Sequence, residues 1–322
     1  MRSDYTWPRS LPIGGRIGIC SPAGPSPVES LHTAAKNLEN LGYDVVIAKH
    51  AASNHQDYAY LAGTIHERTT DLNTFFCDPS IDLILAARGG YGSAQLLPFL
   101  DYDAIRADPK PLVGYSDITS LSLGIFAQTG VVGFSGIMGT AGDGFGQASL
   151  EPFSARSFFS AVSPLDQSTQ TRFLDSPEGT RLVCMDGRPA PSTLVGRLVP
   201  ACMTLLVEAI GTPYLPDLRG AILILEDIDE PLYSVDRMFN HLRLSGHLDD
   251  VAAVVIGTFN SATPSVNATL AEDVPSIANQ FVPLHIPIIT GYPYGHIPCR
   301  LTIPIGCTAS ISLPTGAISI VP

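Results

Sequence analysis

The chain has little charge, a single tryptophan and no long hydrophobic run. Charged residues fill 15% of its 322 positions, while hydrophobic residues fill 45%. That balance excludes a disordered protein and predicts a globular one with a sizeable core, long enough for one large or two ordinary domains. Positive charge is scarce: 18 Lys and Arg stand against 30 Asp and Glu, a formal net charge of −12. Such a surface does not displace counterions, so no nucleic-acid partner is expected, although a few local arginines could still hold an anionic substrate. Six cysteines occur, at Cys20, Cys77, Cys184, Cys202, Cys299 and Cys307, but none forms a C-x-x-C pair. A zinc knuckle or thioredoxin-like site is therefore not expected, and several of these cysteines read as reduced core residues. No apolar stretch is long enough to span a bilayer, so no membrane partner is expected. The opening MRSDYTWPRSLPIGG lacks the apolar run of a signal peptide, and the expected compartment is the cytoplasm. There is no internal repeat and no low-complexity block.

What is present is an alternation of strand-like and helix-like segments. RIGIC (16–20) is a short apolar strand running into the turn-rich SPAGPSP. Leu31, Ala34, Ala35, Leu38 and Leu41 recur at helical spacing, Gly42 stops that helix, and YDVVIA reads as a second strand. A helix over 64–77 ends at Asp78-Pro79. IDLILAA (81–87) is a buried strand, followed by the glycine loop RGGYGS and a helix AQLLPFL; PLVGY, its helix and VVGFSG continue the series. This rhythm predicts an α/β fold whose N-terminal, flavodoxin-like sheet is mostly parallel and flanked by helices, with ligands gathering at the carboxyl ends of its strands. Residues 140–190, rich in Gly, Ser, Pro, Asp and Thr, read as loop and linker. From Ser192 onward, helix ACMTLLVEAIG, strand AILILED, helix YSVDRMFNHLRLSG, strands VAAVVIG and IPIITG and a strand-rich tail predict a smaller mixed α/β domain. The expected division is a domain at 1–150, a linker at 151–191 and a second domain at 192–322.

Four stretches carry candidate chemistry. In PLVGYSDITS (111–120), Ser116 sits where a strand becomes a helix. Serine is a favoured N-cap there. The same place suits a nucleophile on a sharp strand-to-helix turn, with the backbone N–H of Asp117 available to an oxyanion. Ile118 stands where a G-x-S-x-G elbow would have its second glycine, so this is not the usual α/β-hydrolase elbow. The loop Arg88-Gly89-Gly90-Tyr91-Gly92-Ser93 is neither a P-loop nor a G-x-G-x-x-G turn. A tight turn is one reading; an anion-binding or oxyanion-stabilising loop, with Arg88 as carboxylate partner, is the other. LEDIDEP (225–231) clusters Glu226, Asp227, Asp229 and Glu230 at a strand end. A metal site and a solvated strand end both fit such a run, and one carboxylate, best placed at Glu226, suffices to orient a histidine. GYPYGHIPCR (291–300) puts His296 in a Gly/Pro/Tyr loop after an apolar strand, a setting that no other histidine of the chain shares.

Together these stretches resemble the serine LD-carboxypeptidase family, which includes muramoyltetrapeptide carboxypeptidases and microcin-immunity hydrolases. The resemblance runs from about Ile17 to Leu313. It rests on the order and spacing of YLAGT–ER–DL (60–72), ARGGYGSAQLL (87–97), KPLVGYSDIT (110–119), GTPYLPDLRGAILILEDIDEPLYSVDRMFNHLRLSG (211–246) and GYPYGHI (291–297). It implies Ser116 of the G-Y-S-D block as nucleophile, Glu226 of the L-E-D block as orienting acid and His296 as base. It also implies an oxyanion hole from the backbone N–H groups of Gly90 and Asp117, a homodimer and no cofactor; no metal is expected, since the acidic run reads as one orienting carboxylate with solvated neighbours. The implied reaction releases the terminal D-alanine from murein tetrapeptide in wall recycling. Arg88, Gly89 and Tyr91 are expected to contact that muropeptide, with Arg88 near its terminal carboxylate.

Two blocks depart from the family pattern. Pro200-Ala201-Cys202-Met203 stands where many relatives carry G-G-N-L, and Ser135-Gly136-Ile137-Met138 where they often carry H-G-P-M. Both bear on the substrate pocket rather than on the triad. Two alternatives therefore accompany the murein reading. One is the same triad acting on a peptidyl or aminoacyl nucleotide; the other is an inactive protein that binds an anionic peptide.

Overall fold

The computed structural model describes residues 5–140, 144–148, 150–164, 171–261 and 270–320. Its first sheet contains β1 (Arg16–Cys20), β2 (Asp44–Ile47), β3 (Leu83–Ala86), β4 (Leu112–Gly114) and β5 (Gly133–Ser135), in the order β2-β1-β3-β4-β5 and all parallel. This is the flavodoxin-like order, with its switch point between β1 and β3. Strand β3 is buried at every position, as expected of a central parallel strand covered on both faces.

The covering helices are α1 (Val28–Asn40), α2 (Ile65–Cys77), α3 (Tyr102–Ala107) and α4 (Ile118–Thr129). Helix α1 buries Leu31, Ala34, Ala35 and Leu38. Helix α2 starts at a capping box in which the Thr64 side chain accepts the Glu67 N–H and the Glu67 carboxylate accepts the Thr64 N–H. Helix α4 is buried throughout its first nine residues, Ile118 to Phe126, as befits a helix enclosed on all sides. The segment Ser93–Phe99, expected as an α-helix, is a 3-10 helix containing Pro98. Proline offers no N–H to an α-helical ladder, and tight 3-10 turns suit such short pieces.

The second sheet has eight strands: β6 (Arg172–Leu174), β7 (Val183–Cys184), β8 (Thr193–Cys202), β9 (Ala221–Ile228), β10 (Ala253–Asn260), β11 (Ile288–Thr290), β13 (Thr308–Ser312) and β14 (Ile318–Ile320). Strands β8, β9, β10 and β11 run parallel at its centre, and the outer pairings are antiparallel. Between β11 and β13 the chain returns to the first sheet, where β12 (Ile303–Ile305) pairs antiparallel with β5. Helices α6 (Met203–Glu208), α7 (Leu232–Leu244) and α8 (Leu270–Phe281) accompany the second sheet.

The stretch read as loop and linker contains α5 (Pro152–Val162) as well as β6 and β7. The buried face of α5 is Ser154, Ser157, Phe158, Ala161 and Val162, so two of its five inward positions are serines and the apolar period is weak. Its cap is Glu151, whose carboxylate accepts the N–H groups of Phe153 and Ser154. Among the described residues no helix is long and apolar enough to cross a membrane.

Candidate active site

Strand β4 ends at Gly114 and α4 begins at Ile118, which leaves Tyr115, Ser116 and Asp117 to make the turn. Ser116 has φ +60°, and Asp229 is the only other non-glycine among the described residues with positive φ. That conformation costs of order 1–3 kcal/mol and persists where the surroundings over-determine it, which occurs most often at functional sites. The N-cap position of α4 is Asp117, and no side chain caps the helix, so Ser116 does not serve as the cap. Asp117 is buried and clamped to the end of the glycine loop. Its carboxylate accepts the Ser93 N–H at 2.8 Å and its carbonyl accepts the Ser93 hydroxyl at 2.6 Å. Burial pushes the Asp117 pKa up, against the lowering effect of the Ser93 and Gly92 donors and the Arg68 charge.

The glycine loop follows β3 and lies directly against this turn. A Cβ on Gly89 would stand 2.8 Å from Ser116 Cβ and 3.3 Å from the Asp117 nitrogen. Only glycine lets the loop come so near. The loop is held from behind by Arg68, which is buried and donates to the carbonyls of Gly63, Pro22 and Gly92 and to the Gln95 side chain.

Glu226 lies near the carboxyl end of β9, and His296 in the loop after β11. His296 Nδ1 is 2.7 Å from Glu226 Oε2; the histidine side chain is 15% exposed and the glutamate 2%. A carboxylate only accepts, so Nδ1 carries the hydrogen and the lone pair is left on Nε2. The loop is fixed at several points. The Thr258 N–H donates to Tyr294 O at 2.7 Å, Asn260 Nδ2 donates to His296 O at 2.9 Å, and the Tyr294 and Ser135 hydroxyls share a 2.8 Å bond. Gly295, at φ +136°, passes so close to the acid that a Cβ would stand 3.1 Å from Glu226 Cβ.

Two other acids of the run, Asp227 and Asp229, do other work. Asp227 is buried, its pKa pushed up by burial, and its carboxylate accepts the N–H and hydroxyl of Thr204 at the start of α6, both at 2.8 Å. Asp229 accepts the Ser261 hydroxyl at 2.8 Å. Among the described residues no group of three or more His, Cys, Asp or Glu is arranged to hold a metal ion.

A cleft of about 600 Å³ opens over the carboxyl ends of β1, β3 and β4. Ser116 and His296 both line it, together with Arg88, Gly89 and Gly90. Glu226 and Asp117 are buried and do not line it. Tyr91 is not in the lining; its ring is half-exposed beside it. Asp229 of the acidic run and Met138 also line the cleft, as do Tyr115 and Thr140, which were not singled out from the sequence. Tyr115 stood within the G-Y-S-D block and could have been read there. Of the two departures from the family pattern, Pro200 to Met203 is buried at the end of β8 and the start of α6, away from the cleft lining, whereas Met138 reaches it.

Residues 17–136 match the LD-carboxypeptidase N-terminal domain, and residues 195–311 the LD-carboxypeptidase C-terminal domain. A probable murein peptide carboxypeptidase of Bacillus subtilis is 33% identical over 95% of this chain and 91% of its own. A murein tetrapeptide carboxypeptidase of Pseudomonas aeruginosa is 31% identical over 95% of both chains. Among solved structures, that of MccF in complex with glutamyl sulfamoyl guanosine superposes with a TM-score of 0.85, at 26% identity over 98% of both chains. Two matched domains in the right order, and relatives of this identity over nearly the whole length, lead to one assignment: the chain belongs to the LD-carboxypeptidase family.

Proposed function

We propose that this protein is a serine carboxypeptidase with a Ser116–Glu226–His296 triad, which releases the terminal D-alanine from murein tetrapeptide in the cytoplasm and works as a homodimer. His296 Nε2 takes the proton of Ser116 Oγ as that oxygen attacks the carbonyl carbon of the scissile L,D bond. The N–H groups of Gly90 and Asp117 hold the oxyanion. Collapse breaks the C–N bond, and His296 returns its proton to the departing amine of D-alanine. Water, deprotonated by His296, then attacks the acyl ester and restores the serine. Glu226 fixes the imidazole tautomer and stabilises the imidazolium. Every proton is returned within the cycle, so the scheme uses no cofactor.

The observation that carries this reading is the 2.7 Å Glu226–His296 pair, which opens on the same cleft as a serine held at positive φ. Arg88, steadied by a 3.2 Å bond to Pro25 O, supplies a cation in that cleft for the substrate's terminal carboxylate, with Gly89 and Tyr91 beside it. A charge-assisted hydrogen bond of this kind contributes about 1.5–3 kcal/mol. Amidating the terminal carboxylate should then slow cleavage roughly ten- to a hundredfold.

A second reading keeps the triad and changes the substrate to an aminoacyl or peptidyl nucleotide. The fit to MccF bound to a glutamyl sulfamoyl nucleoside supports it. The deciding experiment incubates the protein with murein tetrapeptide, its C-terminal amide, its L-Ala epimer and a glutamyl sulfamoyl nucleoside, and reads products by mass spectrometry. Preferred loss of D-alanine from the free-acid tetrapeptide supports the first reading. Equal rates on the three peptides, with faster cleavage of the nucleoside conjugate, support the second.

A further inference from the structure

The loop that carries His296 and the turn that carries Ser116 lie 180 residues apart in sequence, yet one side chain touches both. Arg300 is 3% exposed. Its guanidinium donates to the carbonyl of Gly295 and, at 3.2 Å, to that of Ile297, the two residues that flank His296. Its central carbon lies 3.5 Å from the centroid of the Tyr115 ring, and Tyr115 immediately precedes Ser116. The same ring meets the His296 imidazole edge-on, centroids 5.1 Å apart. The Arg300 backbone is itself pinned: its N–H donates to Ser154 Oγ at 2.8 Å, and that hydroxyl donates to the Glu151 carboxylate at 2.8 Å. The cap of α5 therefore fixes the point from which the guanidinium reaches out.

Guanidinium suits this place for a geometric reason. Its N–H groups lie in one plane and can meet two carbonyls there, while its flat face stacks on an aromatic ring. An ammonium is a point charge without a face, so it cannot stack flat on the ring with coplanar donors turned to both carbonyls. Arg300 is itself not part of the cleft lining, although Tyr115, on which it stacks, is.

We propose that Arg300 is a positioning residue, which sets the approach of His296 to Ser116 by clamping the base loop onto the tyrosine that precedes the nucleophile. It acts through Tyr115 and through the backbone on either side of His296, and it touches no reacting atom. Its loss should therefore appear in the rate of serine attack and not in substrate affinity. The inference rests on the triad reading above, and its test separates the two.

The test uses the full chain with Arg300→Lys and Arg300→Ala. The lysine variant keeps the charge and most of the buried stem, so it preserves the fold while losing the planar fork. Two quantities are measured: steady-state release of D-alanine, and the rate of covalent labelling of Ser116 by a fluorophosphonate. Each is repeated with methylguanidinium at sub-denaturing concentration. Misplacement of reacting groups by about 1 Å can cost roughly 100-fold, so both kcat and the maximal labelling rate should fall roughly 100-fold in both variants. KM and the half-saturating fluorophosphonate concentration should stay within about twofold, because Arg300 itself offers no group to the cleft. Methylguanidinium should restore about tenfold or more in the alanine variant, since effective positioning returns with the planar cation. A folded Arg300→Lys protein with kcat within about threefold of wild type overturns the proposal, as does a loss confined to KM. Wild-type protein left unlabelled at Ser116 overturns the triad reading instead.

Discussion

Gly89 is packed against Ser116 so closely that no side chain fits between them: a Cβ there would stand 3.0 Å from Ser116 Oγ and 2.8 Å from its Cβ. The glycine loop and the nucleophile turn are thus shaped to each other, with Ser93 and Asp117 tying them together a few residues further on. Gly89→Ala must push the serine or the loop aside. Displacement of this size lowers turnover roughly 100-fold. Kinetics of D-alanine release, beside a thermal melt showing a folded variant, check this; unchanged kcat would mean that the loop has room to retreat.

The positive φ of Ser116 stores strain that glycine would relieve. Ser116→Gly should abolish activity and still raise stability, by about 1 kcal/mol after the extra unfolded-state entropy of glycine is counted. In a chain of this size that is a rise of about 2 °C in Tm. Ser116→Ala keeps the strained backbone and should gain nothing. Calorimetry of the two variants side by side distinguishes strain from a simple loss of side chain, and a glycine variant less stable than the alanine one would contradict the strain argument.

Asp117 links this corner to pH. Burial raises its pKa, so the folded protein holds the Asp117 proton more tightly than the unfolded chain does. Its contribution to stability is then full below the ordinary value of 3.8 and is lost as pH rises through the folded value. Asp117→Asn binds no such proton and keeps an oxygen to accept the Ser93 N–H. The stability of the variant relative to wild type should therefore rise with pH above 3.8 and then level off. Urea midpoints taken across that range measure it, and a relative stability that falls as pH rises would contradict the assignment.

The elements that position the candidate site were legible because each rests on local rules. The buried run IDLILAA became β3, Thr64 and Glu67 formed the capping box that starts α2, Ser116 and His296 sit in turns that follow apolar strands, and Glu226 lies near the end of one. The loop-like stretch at 140–190 misled because α5 buries serines and is capped by a glutamate, while β6 and β7 span three and two residues. The pairing of β12 with β5 depends on a return across the whole chain that no window of sequence contains. Arg300 escaped for a related reason. Nothing local in PCRLT marks it, and only the fold buries it between the His296 loop and Tyr115.

The central claim is that Ser116 and His296 act as one unit. It is tested most directly by D-alanine release from murein tetrapeptide in wild type, Ser116→Ala, His296→Ala and the double variant. A nucleophile and its base share one step, so each single variant should lose roughly 10⁴- to 10⁶-fold in kcat, and the double variant little more than either. Losses that multiply independently, or substantial turnover by Ser116→Ala, would contradict it.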